Sequence, residues 1–328
     1  MQRRKTIDWE DDYSAPKRRF LPARIPLRWS GWSVLTLVVL VGLYYGIGSI
    51  WIHAIDDNPD FAPTEVPPGG SRAVAAAVAL VDREVNQHVW TANKPWFFPS
   101  YPLDNMPNYQ QGIIGALWRF GIEMSDQIGR TRGSSEVDAD LENAAGLLKY
   151  PGDRWYWNPS QQLMPISSSE SQYRNAMNSL MAYNRRLAAG EAVFEIRADN
   201  LLGTLDRIAS DLGSVSATID QHLAAPRPWV IDTKVDDIFY NAKGRLYAYY
   251  IILKELGQDF DKVIQDKDVG QVWERMLFSL RQAAELDPLI IVNGAPDAAF
   301  MPSHLPAQGF YLLRARTQLR EISNVLQN

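Results

Sequence analysis

Two proline-rich loops contain the residue types from which a binding site could be built. The first spans residues 93–109 and the second spans residues 150–159, and both combine aromatic rings with Asp, Asn or Arg. Aromatic faces beside orienting polar groups are typical of sites for sugars or peptides, provided that the two loops meet in space. The predicted ligand cleft consists of Trp96, Tyr101, Asp104, Asn105, Asp153, Arg154, Trp155 and Trp157.

The same composition has a purely structural interpretation. The aromatic rings would then plug one end of a helical bundle, and the polar groups would cap helices, because proline prevents both loops from continuing the flanking helices. The sequence leaves the two interpretations open. A third loop, residues 293–304, has similar chemistry and the same ambiguity.

No residue pattern identifies a catalytic or metal site. Asp104 and Asp153 are the best-placed carboxylates, and a pair bracketing a sugar would suit glycoside cleavage. Glu84 and His88 are one helical turn apart, but no second His-containing pair accompanies them. The chain has no cysteine, P-loop, dinucleotide-binding glycine pattern or Gly-x-Ser-x-Gly motif. We therefore predict no catalytic residue, no cofactor and no metal, and we favour a non-catalytic protein over an enzyme.

Helices must position these loops, because helical periodicity dominates the sequence beyond residue 70. The strongest signal is an apolar stripe with heptad spacing in residues 193–223, followed by stripes in 235–263 and 312–326. Ser167 with Glu170 predicts a capping box at the start of one helix. Shorter amphipathic stretches occupy residues 71–91, 110–130, 136–149, 169–189 and 268–286.

Apolar stripes of this width need partners. An intramolecular bundle of long antiparallel helices satisfies them most economically, because the connections are short. An intermolecular coiled coil, and with it a homo-oligomer, is the alternative. We predict an all-α fold with a single N-terminal transmembrane helix followed by a periplasmic multi-helix bundle.

A stretch of 24 uncharged residues from Trp29 to Ile52 predicts the transmembrane helix. Basic side chains precede it and acidic ones follow it, which places the N-terminus in the cytoplasm. A cleaved signal peptide is the competing interpretation, and we favour an uncleaved anchor that contacts membrane lipid. The predicted divisions are a cytoplasmic tail (1–28), the transmembrane helix (29–54), a linker (55–70) and a periplasmic helical domain (71–328).

The net charge of −5 is unevenly distributed along the chain. The first 28 residues contain eight basic and four acidic side chains, so the remainder is strongly acidic. Nucleic acid binding needs a basic surface, and we therefore exclude nucleic acid as a partner.

Three stretches, residues 103–110, 197–201 and 309–316, resemble a bacterial family described only as a domain of unknown function. The resemblance implies a Gram-negative inner-membrane protein with one N-terminal span and a periplasmic body. It supplies no catalytic residues. The long apolar stripes, the acidic body and the lack of a recognisable active site lead us to expect a scaffold, adaptor or sensor of the cell envelope with an envelope protein partner. The alternative is a protein that binds or cleaves envelope carbohydrate through the two aromatic loops.

Overall fold

A computed structural model describes residues 27–129, 137–157, 164–224, 234–288, 291 and 304–328. Regular structure in these residues is entirely helical, which confirms the predicted all-α class. The chain divides into two compact units, Met1–Tyr44 and Tyr45–Asn328. The third predicted loop, apart from His304, lies outside the described residues.

The helices coincide closely with the amphipathic stretches of the sequence. Ser168 caps α5 by accepting a hydrogen bond from the Ser171 N–H, so the capping box predicted one residue earlier is wrong. π-helical turns extend α2 over Arg83–Gln87 and α3 over Met124–Ile128. The helices are α1 (Leu27–Ile52), α2 (Arg72–Asp82), α3 (Asn105–Glu123), α4 (Ala139–Leu148), α5 (Ser169–Ala188), α6 (Ala198–Ala224), α7 (Val235–Asp259), α8 (Asp261–Asp266), α9 (Gly270–Ala284) and α10 (His304–Gln327).

Helix α1 contains no charged residue from Gly31 to its end at Ile52. The most apolar 18-residue stretch within Gly31–Ile52 has a mean hydropathy of 2.0, and none of its residues is buried. The helix is therefore long and apolar enough to cross a membrane, either as an anchor or as a signal sequence.

The main heptad stripe is buried within one chain. Its Leu205 and Leu212 are fully buried where α6 packs against α10. The two helices are antiparallel, since Arg316 donates a hydrogen bond to the Ala209 carbonyl whereas Gly309 lies beside Ile219. This seam therefore needs no second copy of the chain to cover it.

Helix α7 is the centre of the bundle and contacts α2, α3 and α9. Its backbone meets that of α3 at Gly112 and Gly244, where a Cβ would overlap the opposite helix. Asn108 donates to Asp237 early in both helices, and Gly115 adjoins Arg245 about two turns later in each. Helices α3 and α7 therefore run in the same direction, unlike the antiparallel pairs.

The proline-rich segment between α1 and α2, residues 55–70, lies against the bundle, and we call it the strap. Its Asp57 forms an ion pair with the Lys243 ammonium of α7 at 2.6 Å. Lys243 is fully buried and also donates to the Leu286 carbonyl at 2.7 Å. A buried ammonium needs such partners, because burial without them strongly disfavours charge.

The backbone of the strap is held by buried tyrosines. Tyr109 donates to the Asp56 carbonyl at 2.6 Å, and Tyr247 donates to the Asn58 carbonyl at 2.9 Å. The buried Arg83 guanidinium adds an ion pair to the Asp56 carboxylate at 3.4 Å. Residues that immediately follow α1 are thus fastened to α2, α3 and α7.

Candidate functional site

The two aromatic loops meet in space, as the predicted cleft requires. The ring of Trp155 lies 5.5 Å from that of Phe97 and 5.7 Å from that of Phe98, both in edge-to-face geometry. Such pairs stabilise beyond the area that they bury, by about 0.5–1.5 kcal/mol each. The loop before α3 and the loop after α4 therefore form one surface.

A buried carboxylate holds this junction from below. Glu170, in the first turn of α5, accepts from the Asn93 amide at 2.6 Å and pairs with the Lys94 ammonium at 2.5 Å. Asn93 also donates to the Arg154 carbonyl at 2.9 Å, which joins the two loops directly. Although burial opposes it, the hydrogen bond from Lys94 lowers the pKa of Glu170. The junction thus depends on an ionised Glu170.

The outer face of the joined loops consists of exposed rings, which we call the aromatic surface. Trp96 is 69% exposed and Tyr101 is 58% exposed, although both are large aromatic side chains. Phe97 belongs to the same loop, whereas the second loop contributes its own pair of rings. The members are Trp96, Phe97, Tyr101, Tyr156 and Trp157.

The polar residues of the predicted cleft divide between two places. Asp153 and Arg154 form an exposed ion pair at 3.6 Å beside Trp155. Asp104 instead caps α3 by accepting from the Asn105 N–H, and its charge acts on Asp237 of α7. The two carboxylates proposed for sugar chemistry therefore have separate surroundings.

The first aromatic loop also contacts the end of α1. Tyr45 donates a hydrogen bond to the Trp96 carbonyl, and Ser49 donates to the Pro99 carbonyl at 2.7 Å. Gly48 lies against the Pro99 ring, where a Cβ would overlap it. The last two turns of α1 are thus fastened to the loop that carries Trp96.

A polar groove between α3, α6 and α7 was not predicted from the sequence. At its base, the buried Asp211 carboxylate pairs with Arg245 at 2.8 Å and with Arg119 at 3.2 Å. It also accepts from the Tyr249 hydroxyl at 2.8 Å, and burial together with Asp211 raises the pKa of that hydroxyl well above its usual range. The groove encloses about 340 Å³, lined by Asn108, Arg119, Asp211, Ser214, Val215, Thr218, Asp237, Ile238, Asn241, Ala242 and Arg245.

This groove offers both kinds of hydrogen-bonding group. The Arg119 and Arg245 side chains are partly exposed, and Asp237 lines the same groove. Burial, followed by the charges of Asp236 and Asp104, raises the pKa of Asp237. The sequence signal was weak, because Asp211 directly precedes the stripe residue Leu212 and looks like an ordinary surface aspartate.

The predicted Glu84–His88 pair is present, with 3.8 Å between the Glu84 carboxylate and the His88 ring nitrogen. Glu84 also pairs with the buried Arg83 at 2.7 Å, which occupies its carboxylate. Within the described residues, no group of three or more His, Asp or Glu side chains is arranged to hold a metal ion.

A family model described as "Uncharacterized protein conserved in bacteria" (DUF2333) matches residues 33–227 and 218–328. The chain belongs to the DUF2333 family. This confirms the resemblance seen in the sequence, and the match includes most of α1 as well as the helical bundle. Comparison of this DUF2333 protein with curated proteins and with solved structures finds no match.

Proposed function

We propose that this DUF2333 protein is a non-catalytic scaffold or adaptor of the bacterial cell envelope, anchored in the inner membrane by α1 with its bundle in the periplasm. The observation that carries the proposal is the exposed apolar surface of residues 31–52. Their 22 residues extend about 33 Å as a helix, which matches the ~30 Å hydrocarbon core of a bilayer. Lipid is the natural covering for such a helix.

The orientation follows from charge. Lys17, Arg18, Arg19, Arg24 and Arg28 precede the apolar stretch 31–52, whereas Asp56, Asp57 and Asp60 follow it. Basic residues are retained on the cytoplasmic side, so the bundle is expected in the periplasm. The hydrogen bonds from the end of α1 to the Trp96 loop favour retention over cleavage, because removal of the helix would leave them unmade.

Fractionation and topology reporters test the anchor. The full-length protein should remain in the membrane pellet after alkaline extraction, and a phosphatase reporter fused after Asn328 should be active. The same reporter fused before Met1 is the control and should be inactive. A soluble full-length protein, or a C-terminal reporter active only in the cytoplasm, would refute the proposal.

Crosslinking tests the scaffold role. The polar groove and the acidic body provide charged surfaces for an envelope protein partner. Crosslinked membranes should yield a specific envelope protein with the wild type and less of it with Arg119→Ala, whose side chain is partly exposed at the groove. Lys262→Ala, a change in α8 outside the groove, is the control. Recovery of no envelope protein above background would count against this role. Equal recovery from the wild type and Arg119→Ala would count against the groove as the binding surface.

The carbohydrate alternative stays a prediction. The meeting of Phe97 with Trp155 favours it, because aromatic side chains beside a few polar groups are typical of ligand sites. Asp104 caps α3, whereas Asp153 pairs with Arg154, so the two carboxylates do not form the pair that a glycosidase uses. Binding of soluble cell-wall fragments to the purified protein would support this alternative.

A further inference from the structure

We propose that the aromatic surface is a second membrane contact, in which Trp96, Phe97, Tyr101, Tyr156 and Trp157 enter the headgroup layer of the bilayer crossed by α1. The inference rests on the proposed membrane anchoring of α1. It adds that the bundle lies on the bilayer through a fixed patch, so the apolar helix is not its sole attachment.

The depth of the first loop carries the argument. Its backbone is bonded to α1 at Tyr45 and Ser49, and α1 ends at Ile52. At 1.5 Å per residue, these contacts lie about 10 Å and about 4.5 Å before the end of the helix. The loop therefore runs beside the final two turns of α1. The loop therefore adjoins the interface at this end of α1, where aromatic rings are enriched.

The composition of the loop suits this layer. Lys94 and Asp104 enclose nine consecutive uncharged residues, 95–103, four of which are aromatic. Lys94 is largely buried in its ion pair with Glu170, and Asp104 caps the start of α3. The exposed part of the stretch can thus be desolvated without burying a charge, which would cost several kcal/mol.

The hydrogen bonding of the loop backbone also suits the headgroup layer. The Phe98 N–H donates to the Pro95 carbonyl at 2.9 Å, and the Tyr101 N–H donates to the Phe98 carbonyl at 3.1 Å. The Leu103 N–H donates to the Ser100 carbonyl at 3.0 Å. Successive turns therefore satisfy several amide groups internally. Unsatisfied backbone groups are the main obstacle to placing irregular chain near hydrocarbon.

The neighbouring part of α1 gives the surface continuity with lipid. Ile50 and Trp51 are almost fully exposed beside the loop contact at Ser49. The aromatic surface thus extends an apolar surface that already requires lipid. A sugar or protein ligand would need polar partners. The exposed Asp153 and Arg154 of the second loop are paired with each other, and the exposed stretch of the first loop supplies few others.

Site-directed labelling of the full-length protein tests the proposal, because the chain contains no native cysteine. Single variants Trp96→Cys, Trp157→Cys, Ile50→Cys and Phe278→Cys are labelled with an environment-sensitive fluorophore and reconstituted in phosphatidylethanolamine–phosphatidylglycerol nanodiscs with headgroup-quencher lipids. Ile50 reports the anchor, and Phe278 is an exposed control on α9. All four positions are exposed, so labelling leaves the core intact.

We expect quencher lipids to reduce emission at positions 96 and 157 at least about twofold more than at position 278, with a blue shift of the spectrum. Quenching at position 50 without quenching at 96 and 157 would overturn the inference and leave the anchor intact. Lack of quenching at position 50 would overturn the anchor and the inference together. Protection of labels 96 and 157 by soluble cell-wall fragments, without lipid quenching, would instead assign the surface to carbohydrate.

Discussion

Replacement of Asp57 by alanine should destabilise the protein, although Asp57 lies outside every helix. The residue belongs to the strap and neutralises the Lys243 ammonium at 2.6 Å. Lys243 has no exposed surface, and after the change its remaining described partner is the Leu286 carbonyl at 2.7 Å. The variant must therefore keep an uncompensated buried charge or open the strap to admit water.

The magnitude follows from the exposure of each partner. Breaking a buried ion pair from one side typically costs about 3–5 kcal/mol. The Asp57 side chain is 32% exposed, so solvent already screens part of the interaction. We therefore expect about 2–3 kcal/mol for Asp57→Ala, below the fully buried range. For a domain of this size, that lowers the Tm by roughly 4–12 °C.

A double-mutant cycle separates this mechanism from a general loss of strap contacts. Lys243→Met removes the buried charge, so Asp57→Ala should cost less than about 0.5 kcal/mol in that background. The assay is thermal unfolding of the full-length protein in detergent, followed by circular dichroism, with hydrogen exchange of residues 56–62. Asp60→Ala, a change of an exposed strap carboxylate, is the control. Equal costs of Asp57→Ala in the two backgrounds would refute the reasoning.

Two further predictions concern the bundle and the loop junction. Gly244→Ala should lower the free energy of unfolding by about 1–3 kcal/mol, because its Cβ would overlap the Tyr109 carbonyl. The control Gly146→Ala in α4 has open space around its Cβ and should instead raise the free energy of unfolding by about 0.5–1 kcal/mol. Chemical denaturation measures both. Because the pKa of Glu170 is lower in the folded state, stabilisation by the Lys94 pair is complete above pH 4.5 and is lost as the pH falls through the folded-state pKa. Glu170→Gln should therefore destabilise the protein at pH 7, with a difference from wild type that shrinks in acid; a constant difference from pH 3 to 7 would contradict this assignment.

Local patterns predicted the helices well because each helix buries a stripe of its own sequence. The stretch predicted at 169–189 became α5, Ser169–Ala188, and the break expected near Pro288 follows α9. The exact cap was missed, since Ser167 and Ser168 are chemically alike and only the backbone decides which accepts the amide. Sequence periodicity thus fixes faces and lengths better than ends.

Long-range polar pairing could not be predicted in the same way. Lys243 looks like an exposed lysine on an amphipathic helix, and its partner Asp57 is far away in the sequence. Asp211 is equally inconspicuous beside the apolar stripe. The composition of the aromatic loops predicted a candidate site only on the condition that the loops meet. The contact between Phe97 and Trp155 depends on how α3, α4 and α5 pack, which the local sequence does not determine.

The strap also determines where the protein can be shortened. A fragment starting at residue 71 would satisfy the usual rule of cutting after a proline-rich region, yet it would strip Asp56 and Asp57 from Arg83 and Lys243. The buried Arg83 and Lys243 side chains would then lack the Asp56 and Asp57 carboxylates that pair with them in the complete chain. A soluble version should therefore begin at residue 55, with the proline-rich segment treated as the first element of the folded body.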